Sequence, residues 1–381
     1  MQLKNISIAS PSLDEEEWQA LRAPLLSGWL TQGPKVAEFE KAFALRHDVN
    51  YALATTSCTT GLHLALMALG IGPDDEVIIP AFSWVATANV VLYCGAKPVF
   101  CDVDTETFNI KLEDIPNKLT EKTKAIIPVH LFGLCADIDG IKSILPPQIK
   151  IIEDAACAAG ASYKGRSAGS LGDLAAFSFH PRKSITTGEG GMLTSNNKHQ
   201  INLAEIMRNH GADIAEEIRH SSAKPYMLPD FKMLGFNYRM TDLQAAVGLV
   251  QLNKLDRFLQ ERLNWANYYK EHLQAITWLK PQKTPMYCTS HAWQSFVCYV
   301  DPDHLSISRN ELMDFLLRKG ISTRPGTHAI HNLSFYQEKF KLSEDDFPGA
   351  RDCERNTLAI PLHNKMTKSD FDYVIEMFHE I

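Results

Sequence analysis

The sequence has no CxxC pair and none of the cysteine and histidine spacings that hold zinc, although it carries eight cysteines. It also has no apolar run of the roughly 18 residues that a membrane span requires. Its first residues, Met1-Gln2-Leu3-Lys4-Asn5, lack the basic segment and apolar stretch of a leader. Positive charge is not in surplus: the net charge is -7, and lysines and arginines are spread along the chain, so no footprint for a phosphate backbone forms. Internal repeats and low-complexity segments are missing too. These absences speak against a zinc module, a membrane protein and a nucleic-acid partner. They predict a soluble cytoplasmic protein without a metal centre, whose free thiols sit in apolar runs as small hydrophobes.

What is present is enough for one large core and a smaller second one, at 381 residues with 45% hydrophobic and 22% charged composition. Between about residues 50 and 195, short apolar runs alternate with helix-like stretches, the pattern of a mostly parallel sheet covered by helices. The expected strands are 51–54, 76–79, 98–102, 125–129, 150–153, 174–179 and 191–194, with helices at 59–69 and 84–93. The strand runs are continuously apolar because a parallel sheet is buried on both faces. From Thr241, a good N-cap, to about Leu273 the chain has no Pro and keeps helical apolar spacing. The reading is therefore an α/β large domain over residues 1–245, then a small C-terminal α+β domain over 246–381 entered through that helix.

Three segments carry chemistry. Thr55-Thr56-Ser57-Cys58-Thr59-Thr60-Gly61 follows a strand and opens a helix, so free amides and hydroxyls converge where an anion is welcome; simple helix capping by Ser and Thr is the ordinary alternative. Ile151-Ile152-Glu153-Asp154 places Asp154 at the C-terminal end of a buried strand, the edge where open α/β sheets build sites. A carboxylate there suits a pyridine nitrogen that must stay protonated, or else it holds a salt bridge or loop. Glu153, its neighbour, is expected on the opposite face. Ser178-Phe179-His180-Pro181-Arg182-Lys183 leads off another strand into Thr186-Thr187-Gly188-Glu189-Gly190-Gly191, a loop that lets backbone approach a ligand. Lys183 alone reads as a surface lysine; in this order, phosphate cradle, aromatic residue, acid and lysine together describe a pyridoxal 5′-phosphate (PLP) site.

These stretches, with Ser27-Gly28-Trp29-Leu30-Thr31-Gln32-Gly33-Pro34, Phe39-Glu40, Pro80-Ala81-Phe82-Ser83-Trp84 and Asn237-Tyr238-Arg239-Met240, resemble the DegT/StrS family of sugar aminotransferases over nearly the full length. The resemblance implies fold type I of the PLP enzymes, with a seven-stranded mostly parallel sheet. It makes Lys183 the Schiff-base lysine, Asp154 the partner of the pyridine nitrogen and Trp84 the stacked aromatic. Thr59, Ser178 and the Cys58 amide would hold the phosphate, and Asn237 would reach it from the other subunit of a homodimer. Cys58 stands where many relatives have Gly, and Cys157 where many have Gln to bond the ring oxygen, a task for which a thiol is a weaker donor.

His331 and Tyr336 match positions near the sugar, or else pack their loop on the large domain. Lys183 separates the chain from a branch that has His there and removes oxygen. The implied reaction moves an amino group from L-glutamate, through the pyridoxamine form of the cofactor, to a nucleotide-linked 4-keto-6-deoxyhexose. The amino sugar would feed surface glycans or related products. Two rival readings are another fold type I enzyme acting on amino acids, such as a sulfur-removing lyase, and a non-catalytic PLP-binding regulator. The latter would need a DNA-reading module, and no basic helix-turn-helix pattern occurs.

Overall fold

A computed structural model describes residues 4–212 and 228–381 of the chain. Its centre is a seven-stranded sheet built from β1 (Tyr51–Thr55), β2 (Glu76–Pro80), β4 (Lys97–Cys101), β5 (Thr123–Ile126), β6 (Lys150–Asp154), β7 (Leu174–Ser178) and β8 (Gly191–Ser195). A two-residue strand, β3 (Phe82–Ser83), lies outside it. The spatial order is β1-β8-β7-β6-β5-β2-β4, with only β8 antiparallel to its neighbours. Each expected strand is found. The one expected at 125–129 instead runs Thr123–Ile126, because Pro128 has no N–H to continue the ladder; pairing resumes only as a bridge between Val129 and Asp154.

Both faces of the sheet are covered, and alternate residues of each strand divide between them as the pleat requires. Leu53, Val77, Ile79, Ile152, Ala176 and Leu193 pack with the helices Cys58–Ala68, Ala86–Tyr93 and Lys198–Arg208. Ala54, Ile78, Ile151, Ala175, Phe177 and Met192 pack on the other side with Phe39 and Phe43 of the helix Pro34–Arg46 and with Leu252, Leu255 and Phe258. This burial on two sides is the physical reason that the strands read as unbroken apolar runs.

The helix Asp242–Leu273 opens with a reciprocal cap between Thr241 and Gln244. Asp242, 2% exposed, accepts the amides of Lys35 and Val36 and so caps the helix Pro34–Arg46 as well. The first half of the long helix packs on the large sheet. Its second half, through Ala266, Tyr269 and Leu273, joins a separate core with a four-stranded antiparallel sheet ordered Leu279–Pro281, Phe296–Val300, Thr357–Ile360, Arg324–Pro325. The helices Arg309–Arg318 and Lys368–His379 cover that sheet.

One later segment returns to the first core. The strand His328–Ala329 pairs with β3, and Ala329, Ile330, Tyr336, Phe347 and Cys353 pack with residues of the large sheet. This return brings the C-terminal part of the chain to the rim above β6. All eight cysteines are free thiols. Among the described residues, no helix is long and apolar enough to cross a membrane.

Candidate active site

The C-terminal edge of β6 and its neighbours carries the site, as open α/β topology favours. Glu153 and Asp154 point apart. Glu153, fully buried, is 2.8 Å from His130 Nε2 and accepts the amides of Gly169, Leu171 and Gly172, so it fixes a loop. Asp154, 5% exposed, accepts a hydrogen bond from Thr87 Oγ1 at 2.8 Å and one from the Ala156 amide at 3.2 Å. The Cys58 thiol faces the same carboxylate at 3.9 Å.

Lys183 follows the turn after β7. Its amide donates to the His180 carbonyl, and the loop beyond is tied back by the Thr187 amide and the Thr186 hydroxyl, both donating to the Phe179 carbonyl. Gln251 of the long helix accepts the Thr186 amide, and Gln294 donates to the Arg182 carbonyl. Thus held, the half-buried Lys183 amine donates to Cys157 Sγ at 3.2 Å. Burial disfavours its charged form, but its Cys157 partner and the nearby Asp154 carboxylate outweigh this and lift the amine above its ordinary value. Burial pushes the Cys58 thiol well up, which keeps it protonated and uncharged.

The anion cradle forms where β1 turns into the helix Cys58–Ala68. Ser57 caps that helix by accepting the Thr60 amide, which leaves the amides of Cys58 and Thr59 as its first two, without an intrahelical acceptor. Gly191 pairs with Thr55 on one side and Ser178 on the other, so Ser178 lies next to this turn. A Cβ at Gly191 would come 2.4 Å from the Ser57 carbonyl carbon, which explains the glycine at that place. Beneath, the buried Arg208 donates to Glu40 and to the Ala54 carbonyl, while Glu40 accepts the Ala54 amide. That pair anchors the end of β1.

Cys58 therefore meets Asp154 and Lys183 meets Cys157, the two pairs lying near enough for Asp154 to act on the lysine's charge, with Thr59 and Ser178 beside them. Trp84 lies one turn before Thr87, whose amide donates to its carbonyl, and the residue is 62% exposed. Asn237 is exposed, next to Tyr238, whose carbonyl accepts the Thr56 amide. His331 and Tyr336 are not brought to this surface. His331 is fully buried against Phe347, with burial lowering its basicity, and the Tyr336 hydroxyl donates to Asn89 within the core. The histidine at the rim is His328, exposed and 5.6 Å from the Trp84 ring.

Sequence reasoning missed Thr87. A threonine early in an apolar helix gives no signal of its own, and only its contact with Asp154 reveals it.

The donor set fits PLP: unclaimed amides and the Ser178 hydroxyl for a phosphate, a buried carboxylate for a ring nitrogen, an amine for an aldehyde, and an open indole face for a planar ring. Comparison with known proteins agrees. A family model described as the DegT/DnrJ/EryC1/StrS aminotransferase family matches residues 11–379. An uncharacterised protein of Methanocaldococcus jannaschii, MJ1066, is 37% identical over 372 residues, 97% of this chain and 96% of that protein. Among solved structures, the putative sugar aminotransferase Spr1654 of Streptococcus pneumoniae in its PMP form superposes with a TM-score of 0.92 at 29% identity, covering 98% of each chain. An aminotransferase of Psychrobacter cryohalolentis gives 0.92 at 31% identity, again over 98% of each chain.

Proposed function

Because the chain belongs to the DegT/DnrJ/EryC1/StrS aminotransferase family and is a PLP-dependent aminotransferase, we propose that it aminates a nucleotide-linked keto-sugar, a 4-keto-6-deoxyhexose, with L-glutamate as donor. The observation that carries this reading is the convergence of Lys183, Asp154 and the Cys58–Thr59 turn, three distant segments, on one open site. The sugar acceptor rests on the family, on the solved relative named a sugar aminotransferase, and on a rim around Trp84 and His328 that is open rather than enclosed.

PLP, when bound, supplies an aldehyde carbon that takes up the amino group and a ring that withdraws electrons from the neighbouring carbon, its pyridoxamine form carrying the nitrogen between substrates. The chain's own groups do the rest. The Cys58 and Thr59 amides and the Ser178 hydroxyl hold the phosphate. Asp154 holds a proton on the ring nitrogen by its charge. Lys183 Nζ would carry the proton from the donor's Cα to the cofactor's former aldehyde carbon, and in the second half-reaction from that carbon to the acceptor carbon. Trp84 covers one face of the ring. His331 and Tyr336 stay candidates for the sugar's surroundings only through the segment they support, since both are buried.

The same reading makes the enzyme a cytoplasmic homodimer in which Asn237 of each subunit reaches the phosphate of the other. The boundary between large and small domains is read at about residue 245, inside the long helix. The product would enter a route to surface glycans. The deciding experiment supplies purified protein with PLP, L-glutamate and a panel of nucleotide-linked keto-sugars, and follows 2-oxoglutarate. Release that depends on one sugar is expected; release only with simple keto acids would refute the sugar reading.

A further inference from the structure

Thr87 and Ser83 form a short hydroxyl chain that ends on Asp154. Ser83 Oγ is 3.1 Å from Thr87 Oγ1, and Thr87 Oγ1 is 2.8 Å from Asp154 Oδ2. Ser83 is 1% exposed and Thr87 fully buried. An ionised carboxylate only accepts, so the Thr87 proton is committed to Asp154, and Ser83 is left to donate to Thr87. The order Ser83 to Thr87 to Asp154 is thereby directional. The other carboxylate oxygen, Oδ1, takes the Ala156 amide at 3.2 Å. With Thr87 on one oxygen, and the Ala156 amide and the more distant Cys58 thiol on the other, the carboxylate plane cannot turn freely about its last torsion, and the remaining lone pairs hold fixed directions.

The chain has a firm base. Ser83 lies in β3, paired with the strand His328–Ala329, and Thr87 sits on the helix Ala86–Tyr93, which packs on the large sheet. Hydrogen bonds to a charged acceptor are stronger than neutral ones, and in a buried site they direct a carboxylate more firmly than in water.

We propose that Thr87, supported by Ser83, is the positioning residue that orients Asp154 toward the ring nitrogen of PLP. This inference rests on the reading of Asp154 as the acid that faces that nitrogen.

The test is a double-mutant cycle on the PLP-loaded enzyme with Thr87→Val, Asp154→Asn and both together. The readouts are the dissociation constant of PLP and the single-turnover rate constant with L-glutamate, followed by cofactor absorbance. Thr87→Val is expected to slow the half-reaction about tenfold with the donor KM unchanged, as loss of a bond to a charged group implies. Thr87→Ser should restore the rate to within about twofold. In the Asp154→Asn background, Thr87→Val should add no more than about twofold, because its effect runs through the carboxylate.

A normal rate for Thr87→Val, or an equal loss in both backgrounds, overturns the proposal. Asp154→Asn at the wild-type rate instead marks failure of the underlying reading of Asp154. Should Thr87→Val not fold, Thr87→Ala compared with Thr87→Ser decides the matter in the same way.

Discussion

The Lys183 amine donates to the Cys157 thiol at 3.2 Å, within the same cluster that holds Cys58 and Asp154. Burial alone would lower the amine's basicity, yet these neighbours raise it. A raised value means a smaller neutral fraction at any pH below it, and only the neutral amine attacks an aldehyde. Recombination of the PLP-free enzyme with PLP should therefore quicken by about tenfold per pH unit on the acid side of that value. Cys157→Ala removes one cause of the rise and should shift the profile to lower pH. Stopped-flow absorbance measures both; identical profiles for the two proteins would show that Cys157 does not tune the lysine.

Asp154→Asn should keep the fold and bind PLP while turnover falls at least about 100-fold, since a neutral amide no longer stabilises a protonated ring. Steady-state kinetics with a matched circular-dichroism spectrum checks it, and near-normal turnover would assign the role to another acid.

Exposed Leu25, Leu26, Leu30, Phe231 and Leu234 leave apolar surface on which the proposed homodimer would build its interface. A dimer at assay concentration is expected in sedimentation, and Asn237→Ala should weaken PLP binding without changing that state. A fully active monomer is the contrary result.

Glu40→Ala should destabilise the protein by about 3 kcal/mol, because it strands the buried Arg208 guanidinium and frees the end of β1. Denaturant unfolding reads the effect. An unchanged midpoint would mean that water replaces the lost carboxylate.

Lys183→Ala should still fold and hold PLP, because the cradle, the ring contacts and Asp154 do not pass through the lysine. With no amine to displace it, a bound amino sugar should remain as a covalent adduct. Mass spectrometry across a panel of nucleotide-linked amino sugars would then name nucleotide and sugar together. Adducts with simple amino acids alone would point to an amino-acid enzyme.

Much of this was legible beforehand for identifiable reasons. β2, β6 and β7 are buried on two sides, so Val77-Ile78-Ile79 and Ile151-Ile152 had to be apolar without alternation. The long helix announced its start at Thr241 through capping chemistry that is local in sequence. Asp154 was visible as an acid at the C-terminal end of a buried strand, the edge where chemistry is done; Lys183, by itself a surface lysine, was visible only through its place after the cradle, the aromatic residue and the acid and through the family resemblance.

Contacts between segments distant in sequence were not legible. Thr87 and Asp154 lie 67 positions apart, and no pattern near either residue signals the other. His328 and His331 are three residues apart in one loop, yet the pairing of His328–Ala329 with β3 and the turn Ile330–Asn332 send one ring to the rim and the other into the core. The sequence by itself determined the strands, the helix and the chemical types at the site, because these depend on local propensity and on burial pattern. The tertiary structure alone decided which hydroxyl meets the acid, which thiol meets the lysine and which histidine comes to the rim beside Trp84, because a hydrogen bond is set within tenths of an ångström by packing that the linear order of residues does not contain.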